Sequence, residues 1–89
     1  MFRLTDDAEI QPHTPRDDEE QFPVMLYVTY TCKTRMDSIH SYRFIFSRHS
    51  VSTARSIIGL TTWLARSMGV TQENLIIHSI LPVEEEVTR

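Results

Sequence analysis

From Phe22 to Cys32 the chain alternates without a break: Phe22, Val24, Leu26, Val28, Tyr30 and Cys32 on one parity, Pro23, Met25, Tyr27, Thr29 and Thr31 on the other. A strand turns successive side chains to opposite faces, so a period of two rich in β-branched and aromatic residues predicts a strand. The same spacing on a helix would scatter the apolar residues around its whole circumference. The rest of the chain has to supply neighbours for this strand.

A second run supplies one of them: Tyr42, Phe44 and Phe46 alternate with Arg43, Ile45 and Ser47. Residues 33–41 between the runs are polar and predict a connecting loop longer than a tight hairpin turn. Ser50 is a candidate helix cap, because its hydroxyl can accept from a free N–H of the first turn. Beyond it Ala54, Ile57, Ile58, Thr61, Leu64, Ala65 and Met68 form one stripe at helical spacing. Gly69 suits the left-handed residue that closes a helix, with Val70 as the apolar contact after it. Leu75–Leu81 is apolar on both parities and predicts a third strand, stopped by Pro82. The expected fold is α+β, a ββαβ chain in two layers: one helix over a three-stranded sheet of order 2-1-3, with strand 22–32 in the centre. A right-handed crossover through the helix leaves the third strand parallel to the second and antiparallel to the first.

Charge divides the chain in the same places. Residues 1–21 carry −5, residues 22–66 carry +5 and residues 67–89 carry −3, within a net charge of −3 over 89 residues. Residues 1–21 therefore read as an acidic, flexible tail, 22–83 as a single small domain and 84–89 as an acidic C-terminal tail. Phe2, Leu4 and Ile10 are the residues of the first tail able to dock. A chain of this length buries only about 60–65% of its unfolded surface, so stability is modest or shared with a partner.

Composition removes several function classes. Two glycines, Gly59 and Gly69, leave neither a dinucleotide-binding turn nor a phosphate loop. One cysteine, Cys32, leaves no intramolecular disulfide and no Cys-rich zinc site. No apolar run is long enough for a bilayer and no targeting segment opens the chain, so a cytoplasmic location is expected. His13, His40, His49 and His78 have no metal-ligand spacing, and neither a metal site nor a cofactor is expected. Cys32 with His40 or His49, and Ser47, Ser50 or Ser52 with His49, are the nucleophile pairs available; each lacks an orienting group. The acidic runs lie in tails, where nothing fixes a carboxylate for acid–base work. The chain is not expected to be an enzyme.

Two surfaces suggest binding. On the side of the helix away from the stripe stand Trp63, Leu60, Gly59, Arg66 and Arg55; Trp and Arg dominate interface hot spots, and a glycine lets another surface approach. The sheet face opposite the helix, expected to show Met25, Tyr27 and Ile45, is apolar for solvent, and strand 75–81 is an edge open to strand addition. A second copy of the chain, or the N-terminal tail folded back as a lid, would cover either. These features predict a protein-interaction module, homodimeric or bound to another protein, that regulates or inhibits a larger protein or complex. Accessory factors of phages and mobile elements are often of this size. The alternative is nucleic-acid binding through Lys33, Arg35, Arg43 and Arg48 with the sheet aromatics, which would pair phosphate neutralisation with base-stacking platforms.

Overall fold

A computed structural model describes residues 2–5 and 20–84 of the chain. Its elements are β1 (Phe2–Leu4), β2 (Val24–Lys33), β3 (Ser38–Ser47), α1 (Ala54–Met68), a 3-10 turn (Gln72–Asn74) and β4 (Leu75–Val83). The fold is α+β, as expected, but the sheet has four strands in the order β1-β3-β2-β4. The expected trio is its heart: β2 lies between β3 and β4, antiparallel to both. The correction is the fourth strand. Phe2–Leu4, assigned from sequence to the acidic tail, pair antiparallel with Leu4 opposite Ile45 and Phe2 opposite Ser47. Three residues carry too little pattern to announce a strand; pairing with β3 makes it one. The acidic positions 6–19 and the C-terminal positions 85–89 lie outside the described residues.

The long loop between the first two runs is instead a tight hairpin. The Thr34 N–H donates to the Asp37 carbonyl at 2.8 Å, and the Asp37 carboxylate accepts from the Ser38 N–H at 2.7 Å. Asp is suited to this position because its short side chain reaches the backbone just ahead of it. Ser38–Ser41, exposed and polar apart from Ile39, become strand because they pair with β2 from Tyr30 to Lys33.

Thr53, rather than Ser50, caps α1. Its hydroxyl accepts from the Ser56 N–H at 3.1 Å while the Ser56 hydroxyl accepts from the Thr53 N–H at 2.9 Å, a reciprocal box that satisfies two otherwise free donors. At the other end Gly69 takes φ 71°, and the N–H groups of Gly69 and Val70 close on the Arg66 and Ala65 carbonyls. The left-handed backbone costs a side chain about 1–2 kcal/mol, which is why glycine stands there.

The even residues of β2 face the helix. Leu26, Val28, Tyr30 and Cys32 pack with Ile45, Leu75, Leu60, Leu64 and Ala65 into one core, flanked by Phe2, Leu4, Ile77 and Ile80. Each fully buried aliphatic side chain here contributes about 1.5–3 kcal/mol. Ile45, expected on the far face, sits opposite Leu26 and is buried under the helix. The helix is also rolled relative to its expected stripe: Leu60 and Leu64 point down, whereas Ile57 and Ile58 are exposed. On the Leu60 side Trp63 meets Phe2 of β1, and Phe2 and Leu4 extend the apolar surface that flanks the core.

Against β2, β4 carries a bulge. Ser79 lies opposite Thr29 and Ile77 opposite Tyr30, so His78 is an extra residue without a partner on β2. The slip explains why neither simple parity of this strand forms a face. Leu75, Ile77 and Ile80 join the core, while Ile76 and Leu81 are exposed.

Candidate functional site

The five residues predicted to bind a partner from the helix separate into two groups. Leu60 is fully buried at 0% exposure and forms no part of an outer face. Trp63 is half-buried against the core, and its ring lies 5.4 Å from that of Phe2, tilted by 44°. It is already engaged by the N-terminal strand. Arg55 and Arg66 are exposed. With Ile58 and Thr62 they form a line at spacings of three, four and four residues, one outward face of a helix.

Ile58 is 64% exposed in the middle of that line, with Ile57 at 41% beside it. The helix contains no acidic residue, so no carboxylate of α1 offsets the two arginines. A Cβ added at Gly59 would meet nothing within 4 Å, so contacts within the chain do not require a glycine here. The sequence pointed to the two arginines and the glycine. It missed Ile57 and Ile58, whose helical spacing assigned them to the core.

The sheet face opposite the helix has two halves. At one end Phe46 and Met25 are buried, and the Arg3 guanidinium lies 4.6 Å from the Phe46 ring centroid. Next to them Tyr27 contacts both Tyr42 and Phe44, at centroid separations of 5.6 and 5.2 Å, with Tyr42 59% exposed. At the other end Thr31, only 4% exposed, stands between two exposed histidines. Its hydroxyl is 2.7 Å from His40 Nδ1 and 2.5 Å from His78 Nε2. Thr29 and Ser79 share a hydroxyl pair alongside. The histidine pair is the feature that sequence reasoning missed altogether, because the residues are 38 positions apart by their numbers and only the bulge turns His78 toward this face.

The basic residues considered for nucleic acid do not gather. Lys33 ends β2 and Arg35 is in the hairpin, whereas Arg48 follows β3 at the opposite end of the sheet. Arg43 belongs to the helix-side parity, since it pairs with buried Val28, and its Nε donates to the Tyr30 hydroxyl at 3.4 Å. A hollow lined by Thr5, Tyr30, Ser41, Tyr42, Arg43 and Phe44 wraps the edge of β3 where β1 stops. Along that edge the Thr5 hydroxyl caps the Phe44 carbonyl at 2.7 Å.

The nucleophile pairs are not assembled. Cys32 is buried on the helix side, while His40 lies opposite Thr31 on the other face. The Ser47 hydroxyl donates to the backbone carbonyl of His49 at 2.5 Å, not to its ring. Among the described residues no three of His, Cys, Asp and Glu come together as metal ligands, and no helix is long and apolar enough to cross a membrane. No protein-family model, curated protein or solved structure matches this chain.

Proposed function

We propose that this chain is a small, non-enzymatic protein-interaction module that regulates or inhibits a larger protein or complex. The observation that carries the reading is the outward line Arg55–Ile58–Thr62–Arg66 beside Gly59: exposed aliphatic surface between two cations, next to a position where a backbone can approach. Scattered single apolar residues are ordinary on a surface, but an aliphatic pair flanked by arginines has the composition of an interface centre. Its complement is an apolar spot bordered by carboxylates. Two copies of the same stripe would oppose like charges, so a different protein fits it better than self-pairing.

Affinity capture from the source cells tests this, comparing the natural chain with an Ile58→Ser, Arg66→Ala double variant. A protein retained by the first and lost with the second, at unchanged thermal stability, is the expected result. Identical retained sets would refute it.

A second reading, nucleic-acid binding, has one specific observation in its favour. Tyr27, Tyr42 and Phe44 form a contiguous aromatic patch on an antiparallel sheet, the platform on which single-stranded bases stack. Against it stands the dispersal of Lys33, Arg35, Arg43 and Arg48. Anisotropy of labelled single-stranded oligonucleotides at low salt decides it: binding that Tyr42→Ala abolishes would move the assignment to the sheet.

A further inference from the structure

We propose that His40 and His78 form a binding site for a divalent late transition-metal ion of the zinc or copper class, on the sheet face opposite the helix. Two imidazole nitrogens from different strands converge on one point, since both lie within hydrogen-bond distance of the same Thr31 oxygen. Two rings sharing a zinc ion at about 2.0–2.1 Å per nitrogen have centroids about 5–6 Å apart. The rings here are 6.2 Å apart. Small side-chain rotations close that difference, and both histidines are exposed and free to make them.

The backbone independently favours convergence. His78 is the unpaired residue of the β4 bulge, and bulges re-aim side chains at the cost of a local ladder bond. Without the bulge, its parity would place it with Ile80 under the helix. The bulge delivers it instead to Thr31, opposite His40. The hydroxyl between them has one proton to give and two lone pairs, so it can serve both rings unless both turn a lone pair toward it. A metal ion removes that constraint: it takes a lone pair from each ring, leaves the other nitrogen of each ring to donate to solvent, and frees the hydroxyl for a metal-bound water. Imidazole suits zinc, copper and nickel, and exposure leaves room for water to complete the coordination shell. The ion would tie β3 to β4 across the strand that separates them.

The test titrates the full chain with zinc chloride and, separately, cupric chloride, followed by calorimetry and by the side-chain resonances of the four histidines. One ion per chain is expected, with copper the tighter, and with paramagnetic broadening concentrated on His40, His78 and Thr31. His40→Gln and His78→Gln keep a hydrogen-bonding group for Thr31 while removing a ligand. Each should weaken binding by more than the roughly 10- to 100-fold that loss of an outer-shell partner costs. His49→Gln should bind as the natural chain does. Absence of binding up to about 1 mM metal overturns the proposal. So does equal affinity in the double glutamine variant, or broadening centred on His13 or His49. The broadening pattern needs no substitution, so it decides the matter even if a variant fails to fold.

Discussion

Individual residues of α1 divide by the direction they point, and their substitutions should divide in the same way. Leu60 is enclosed by the core, so Leu60→Ala is expected to cost about 2–5 kcal/mol in urea unfolding. Ile58→Ala, six-tenths exposed, should stay within about 0.5 kcal/mol in the same experiment. The two glycines should answer with opposite signs. Gly59 has helical neighbours and open space at its Cβ, so Gly59→Ala should stabilise by about 0.5–1 kcal/mol. Gly69 holds a positive φ, so Gly69→Ala should destabilise by about 1 kcal/mol. Of these four positions, Gly69 had its cap legible in the sequence and Gly59 its outward place. Leu60 and Ile58 depend on how far the helix is rolled, which apolar spacing alone does not fix.

At the level of elements, a pattern was readable wherever an element is buried on at least one face along its length. β2 alternates along its whole length and was legible as the central strand. Ser38–Ser41 of β3 are exposed and acquire strand geometry only through β2, so the polar sequence concealed them. β1 is the extreme case. Its attachment includes three backbone pairs, a Thr5 hydroxyl, the Arg3 contact with Phe46, the packing of Leu4 against the core and the Phe2 contact with Trp63. Phe2→Ala should therefore move the emission of the single tryptophan to longer wavelength, because a half-buried indole loses its cover. A chain lacking residues 1–5 should exchange the backbone amides of Ile45–Ser47 faster, while Tyr27–Thr31, paired on both sides, keep their protection. Equal exchange in both segments would mean that β1 contributes nothing to that edge.

For the whole molecule, the charge segregation visible in the sequence turns into a division of surfaces. The helix exposes cations on its outward line, and the opposite sheet face exposes rings and imidazoles; among the described residues neither presents a carboxylate on its strand or helix positions. An acidic partner bound on the helix should dissociate more readily as salt rises, because exposed pairs are screened over about 10 Å at 0.1 M ionic strength. A partner stacked on Tyr42 through apolar contact should respond far less. Measuring the affinity of a captured protein at two salt concentrations thus assigns it to one face or the other. The sequence pointed to the two arginines of the helix line proposed as a binding surface. It concealed the histidine pair, because a period-two reading has no place for a strand that changes parity midway.

That change of parity makes the chain one residue longer than its architecture requires. Excise His78, and Leu75, Ile76, Ile77, Ser79, Ile80 and Leu81 alternate perfectly, each already on the side that an unbroken ladder would give it. The shortened protein should fold to the same topology with β4 fully zipped to β2. If it does, His78 is a residue that the ladder does not call for, and the reason for its place lies in what its ring meets on the open sheet face.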